Sequence, residues 1–368
     1  MRILVTTDTL GGVWTYTSEL VTGLIRRGVR VTLVSFGEIP GPTQTRWMER
    51  LSGLDYHPTA FKLEWMQNSE DDMEASAEYL SEIVEETRPD VLHFNQFYYG
   101  ALAGPAPKVV VAHSDVVSWW LAVRGEEPPP SSWLSWYRNL VTRGLQGAST
   151  VAAPSRWMLD QVEMLYTKTS GSRVIYNGRT PSLFNPHVTK EDRIVTAGRI
   201  WDSGKNAGLL LQEDLPAPLC IVGAGEHPET ESNGFVATRA PDNVQLQPQQ
   251  SESQMIQLLA RASIYAAPSR YEPFGLAPVE AALSRCAIVA SDIPPLRELW
   301  QDAALFFRND DARSLKGSLE SLVRDPGLRT RYANLAYTHA RRKFTAERMV
   351  DEYMELYRAL APAAVAAA

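Results

Sequence analysis

The chain has 368 residues, 44% of them apolar and 21% charged, with a formal net charge of −7. That length suits about two domains of ordinary size, and the composition is that of a soluble globular protein, not a disordered one. The acidic balance supplies no field for a phosphate backbone, which argues against a nucleic-acid partner and against aromatic residues acting as base-stacking platforms.

The first elements read as a buried strand (RILVTT), a Gly11-Gly12 turn, an amphipathic helix ending at Gly28 and a second buried strand (VRVTLVSFG). A helical SAEYLSEIVEETRP then leads to the strand DVLHFN, followed by VVVAH, the Trp-rich helix WLSWYRNLVTRGLQG and STVAAPS. Unbroken β-branched runs alternating with helical patterns predict parallel strands covered on both faces. Between residues 170 and 192 the texture turns to Pro, Asn and Gly, so the first domain is expected over residues 1–172 and a second over 173–345. The second repeats the alternation through RIVTAGR, APLCIVGAG, DNVQLQ, ASIYAAP, CAIVAS and AALFFRN. The last third is helical, broken at Pro326; residues 346–368 are expected to be a helix that packs back on the first domain, with a frayed alanine-rich tail. The fold class is therefore α/β: two doubly wound, Rossmann-like parallel-sheet domains facing a central cleft.

Cys220 and Cys286 lie in apolar runs, forming neither a disulfide framework nor a metal set; buried thiols in a reducing cytosol are expected. The opening run is too short for a secretory leader, and no stretch approaches the roughly 18 uncharged apolar residues a membrane span needs.

Four constellations carry chemistry. In YEPFGLAPVEAAL (residues 271–283), Pro273 and Gly275 force a turn and a helix starts near Leu276. Its first amides are unpaired and carry the positive end of the helix dipole, which suits a phosphate or a sugar hydroxyl. Glu272 stands before that helix and Glu280 about one turn inside it. By themselves they could equally be acids decorating a helix start. In TAGRIWDSGKNAGLL, Arg199 directly follows a buried strand and Lys205 precedes a helix; together they could hold a diphosphate, one as a fork and the other as a point charge. Gly12, in DTLGGVWTY, lets backbone approach a ligand closely. His113, in VVVAHSDVV, ends a strand, whereas His93 reads as core. Neither glycine turn completes G-x-G-x-x-G: DTLGG lacks the spacing, and Pro228 stands where IVGAGEHP would need its third glycine. No Asp-x-Asp, HExxH or CxxC occurs, so no metal or other cofactor is expected.

Taken together, GGVWTY, VVVAHSD, VIYNGRTPSLFNP, AGRIWDSGKN, SRYEPFGLAPVEAAL and CAIVASDIPPLRE resemble the family-4 retaining glycosyltransferases of GT-B architecture, along essentially the whole chain. The glutamate-x7-glutamate spacing is the most specific of these features. The resemblance implies that Glu280 binds the ribose of a UDP-, GDP- or ADP-sugar donor. Glu272, Phe274 and Gly275 would hold the transferred sugar. Gly12, Arg199, Lys205 and Leu276 would hold the diphosphate, with His113 and Glu272 contributing to catalysis. It also implies front-face substitution, in which the departing phosphate oxygen takes the acceptor's proton. Departures are QPQQSES, where the family often has a glycine facing the base, Ala287 for a common proline, and Ser114 between His113 and Asp115, for which no catalytic role is expected.

Trp14, Asn95 and Trp119 are candidates for binding a carbohydrate, glycoside or lipid-linked hydroxyl acceptor, since sugars stack on aromatic faces; aromatic packing explains them equally. Exposed-looking Trp133 and Trp136 beside Arg138 and Arg143 allow at most a peripheral membrane contact. The alternative readings are a non-catalytic nucleotide-sugar binder and another GT-B sugar-nucleotide enzyme.

Overall fold

The unbroken apolar runs form parallel strands throughout, because a strand covered by helices on both faces has no solvent side to alternate with. The computed structural model describes residues 1–225 and 243–362, so Pro228 and the alanine tail lie outside the described residues. The chain divides into two units, Met1–Asn177 with Ala346–Ala368, and Gly178–Thr345.

In the first unit, β1 (Arg2–Asp8), β2 (Arg30–Phe36), β3 (Leu54–Pro58), β4 (Val91–Phe94), β5 (Lys108–Val111), β6 (Thr150–Ala153) and β7 (Ser172–Val174) form a sheet of order β3-β2-β1-β4-β5-β6-β7. Helix α1 (Gly12–Arg26) joins β1 to β2, and a short α2 (Pro42–Thr45) precedes β3. Next come α3 (Glu70–Thr87), α4 (Val116–Arg124), α5 (Ser132–Gly147) and α6 (Arg156–Leu165). Side-chain caps start three of these: Asp115, Ser131 and Ser155 accept from the amides of Ser118, Leu134 and Met158, satisfying donors the helices cannot. Asp115 is thus committed to capping α4. β7 pairs with β6 and so belongs to the first sheet, and the first unit runs on to Asn177.

The second unit contains β8 (Glu191–Ala197), β9 (Leu219–Val222), β10 (Val244–Gln247), β11 (Ala262–Ala267), β12 (Ala287–Ser291) and β13 (Leu305–Phe307), in the order β10-β9-β8-β11-β12-β13. Its helices are α7 (Glu252–Arg261), α8 (Leu276–Leu283), α9 (Pro294–Trp300), α10 (Ala312–Arg324) and α11 (Pro326–Lys343). Pro326 opens α11 with Asp325 as its cap; it starts a helix there because the first turn leaves its missing N–H without consequence. Cys220 and Cys286 are buried and free. The Cys286 thiol, pushed up to about 11 by burial, lies 3.2 Å from the Ala262 carbonyl oxygen. Among the described residues no helix is long and apolar enough to cross a membrane.

Helix α12 (Ala346–Leu360) returns to the first unit and packs along α1. Gly23 makes this possible, since a Cβ there would sit 2.5 Å from Cγ2 of Val350. Arg27 pairs with Asp351 at 2.5 Å, and Tyr357 and Tyr16 reach the two ring nitrogens of His93 at 2.7 and 3.2 Å. His93 is fully buried, as a core residue should be, and burial pushes its pKa down to about 3. The Trp133 indole stacks on Tyr137 and donates to the Met66 carbonyl, and Trp136 packs against the core. Arg138 pairs with Glu127. The stretch read as an exposed basic–aromatic surface is therefore largely a packed helix face.

Gly23→Ala should destabilise the protein by about 1–3 kcal/mol through overpacking. Adding Val350→Ala should recover part of that loss in denaturant unfolding. Additive losses would show that the α1–α12 approach does not depend on this glycine.

Candidate functional site

In the second sheet the winding reverses between β8 and β11, and loops leaving two such strands in opposite directions open a recess at their carboxyl ends. The recess is lined by Thr196, Gly198, Arg199, Lys205, Ser269 and Glu272, among others. Gly198 is approached closely by backbone: a Cβ on Gly223 would lie 1.6 Å from its carbonyl oxygen. The IVGAG segment, read as a simple turn, brings its backbone close to Gly198, which lines the recess.

Two loops meet across the recess and are tied by backbone. The Gly204 carbonyl accepts from the amides of Arg270 and Tyr271 at 2.9 and 3.2 Å. Asp202 braces the first loop, accepting from the Gly204 amide at 2.8 Å and from Arg199 at 2.9 Å. Lys205 is followed by a 3-10 turn (Ala207–Leu211) in place of the expected helix; Asn206, at φ 52, redirects the backbone. So held, Lys205 Nζ lies 2.7 Å from both carboxylate oxygens of Glu272. Ser269 donates to Glu272 Oε2 at 2.9 Å. Glu272 is buried and Lys205 half-buried, so the pair is only partly screened by water. Arg199 is more exposed, its guanidinium 5.4 Å from the Trp201 ring centre.

Helix α8 begins at Leu276, four residues after Glu272, with Gly275 as its N-cap at φ 85 and no side-chain cap. The glycine serves twice. It takes a backbone conformation other residues resist, and a Cβ there would press on the Glu272 side chain at 3.0 Å. The first amides, including that of Leu276, lack partners within the helix, and Pro278 offers no N–H. Phe274 is buried, packing edge-on against Phe344 at 5.3 Å. Its side chain is a core group, and its backbone alone is left for a ligand.

Glu280 is not a bare acceptor. Its Oε1 lies 2.9 Å from Nε of Arg179, and Arg179 Nη2 lies 2.5 Å from Glu252 Oε1. Arg179 is 2% exposed, and its backbone amide donates to the Phe344 carbonyl. The sequence reading missed this cation. It sits in VIYNGRTP, where no periodicity announces burial, and the available signal was a charge placed four residues after the buried Ile175. Ser269 was missed too.

In the first unit the winding reverses between β1 and β4. Gly12 opens α1 behind Gly11, which has φ 82 and provides no side-chain cap. His113 is half-buried, lies edge-on to Tyr16 at 4.6 Å and bonds Asn95 at 2.8 Å; burial, with His93 nearby, pushes its pKa down to about 3. Two acceptor candidates are otherwise engaged. Trp14 is buried, its indole N–H pointing at the Gln44 carbonyl, and Asn95 is 9% exposed with its amide spent on protein groups. Trp119 is half-buried on α4 against Trp120. Among the described residues no group of three His, Cys, Asp or Glu side chains could hold a metal ion.

Arg179→Met should lower the unfolding temperature, because it leaves the largely buried Glu280 carboxylate without its cation. Removing both charges, with Arg179→Met and Glu280→Gln, should cost less than the sum of the single changes. Strictly additive losses would mean that the pair is not coupled.

Two family models match the chain: "Glycosyltransferase Family 4" over residues 10–183 and "Glycosyl transferases group 1" over residues 202–339. The O-antigen chain mannosyltransferase RfbU of Salmonella typhimurium is 24% identical over 205 residues, 54% of this chain and 58% of that protein. The chain thus matches little more than half of that relative's own length. A sucrose-phosphate synthase of Thermosynechococcus elongatus superposes with a TM-score of 0.81 at 17% identity, over 99% of this chain and 100% of that one. Anabaena HepE, solved in complex with UDP-glucose, gives 0.73 at 17% identity over 98% and 100%. Matched along both units, and sharing their fold of two doubly wound parallel sheets, this chain belongs to the family-4, group 1 glycosyltransferases.

Proposed function

We propose that the protein transfers a sugar from a nucleoside-diphosphate donor to a hydroxyl of a carbohydrate, glycoside or lipid-linked acceptor, with retention and without a metal. One observation carries the reading: a lysine held on both oxygens of a buried glutamate, beside an uncapped helix start, at the switch point of a parallel sheet. The sugar-nucleotide class is supported by the mannosyltransferase relative and by the UDP-glucose bound to the Anabaena neighbour.

In this reading the diphosphate settles over Lys205 and Arg199, against the amides that open α8 at Leu276. These groups meet charge that grows as the sugar–phosphate bond breaks, which is where fixed donors lower a barrier most. Glu272 anchors Lys205 and, with the Gly275 segment, faces the transferred sugar. Both its oxygens are engaged, which favours holding over nucleophilic attack and agrees with front-face substitution. Glu280, steadied by Arg179, accepts from the ribose. The family resemblance assigns the Gly12 amide to the diphosphate and His113 to the transferred sugar.

Lys205→Ala should lower turnover by about 10²-fold, the scale of losing one contact to developing charge. Glu280→Ala should chiefly raise the donor KM. Sugar transfer should persist in excess EDTA. Activity lost on chelation, or Lys205→Ala turning over at the wild-type rate, would contradict the scheme.

A further inference from the structure

Asn95 adopts one orientation for a reason that can be read from its neighbours. One end of its amide lies 2.6 Å from the Thr6 carbonyl oxygen and 3.4 Å from Thr17 Oγ1. A carbonyl oxygen only accepts, so that end must be the NH2 group; the flipped amide would set two oxygens 2.6 Å apart. The other end is then Oδ1, also an acceptor only, and it lies 2.8 Å from Nε2 of His113. Asn95 cannot drift from this position. Its own amide donates to Thr6 Oγ1 at 3.0 Å, Thr17 is steadied by Thr7 at 3.0 Å, and the residue is 9% exposed. An imidazole facing a fixed acceptor must place a hydrogen on the facing nitrogen.

We propose that Asn95 is a positioning residue that locks the neutral His113 ring with its proton on Nε2, leaving Nδ1 as a hydrogen-bond acceptor turned to a sugar hydroxyl. The inference rests on the proposed function only for the hydroxyl; the lock follows from the geometry alone. It gives His113 a definite task. The ring reads a hydroxyl by accepting from it and donates no proton to the reaction. It also replaces the expectation that Asn95 itself touches the acceptor, because every polar atom of its side chain is already spent on Thr6, Thr17 or His113.

The test is long-range proton–nitrogen NMR of the histidine rings in the full-length, ligand-free protein at neutral pH. His113 is assigned by its loss in His113→Gln. The expected spectrum has a protonated Nε2 and a bare Nδ1. Asn95→Ala should turn it into a mixture of tautomers. A wild-type ring protonated on Nδ1 overturns the proposal, and that measurement stands even if Asn95→Ala fails to fold. An unchanged tautomer in a folded Asn95→Ala protein overturns it as well. If the tautomers behave as expected and Asn95→Ala still transfers sugar at the wild-type rate, the lock holds and the part of the proposal that turns Nδ1 to a sugar falls.

Discussion

The contact between Lys205 and Glu272 organises the second unit. An ammonium 2.7 Å from both oxygens of a buried carboxylate is a pair whose attraction is only partly screened, and neither partner can leave without exposing the other. Much of the surrounding architecture serves it. Gly204 ties the two loops together through its carbonyl, Asp202 shapes the first loop, Ser269 takes a remaining lone pair of Glu272, and Gly275 leaves room for its side chain. Interactions of this kind hold a site in a set geometry before any ligand arrives, and that preorganisation is what electrostatic catalysis depends on.

The two units solve the same problem with different chemistry. Each reverses its winding in mid-sheet and so opens space at the carboxyl ends of two strands. The second unit lines that space with charge, Arg199, Lys205 and Glu272, while Glu280 on α8 is braced by Arg179. In the first unit Gly12 leads α1, and Asn95, held by Thr6 and Thr17, bonds the His113 ring.

Much of the fold was legible because parallel strands buried on both faces leave unbroken runs such as RILVTT and CAIVAS. The edge strand LDYHP was not, since its residues are at most half-buried and carry no run. In the site, spacing located Glu272, Glu280, Arg199 and Lys205 at strand ends and a helix start. Spacing alone could not tell that Glu280 shares a cation, because Arg179 lies about a hundred positions away and its burial depends on the fold. Trp14 and Asn95 are the converse case. Both stand near glycine- and strand-end signals that mark a ligand site, yet each is held inward by a carbonyl from another segment, Gln44 for one and Thr6 for the other.

Binding of a nucleoside-diphosphate sugar at the recess of β8 and β11 is measured most directly by ligand-dependent thermal unfolding, since a ligand that binds only the folded state stabilises it by mass action. Across a panel of uridine, guanosine and adenosine diphosphates and their sugar conjugates, one base should raise the unfolding temperature of the wild-type protein. The same ligand should give a much smaller rise with Lys205→Ala. No rise with any member of the panel at millimolar concentration, or an equal rise with and without Lys205, would contradict the account.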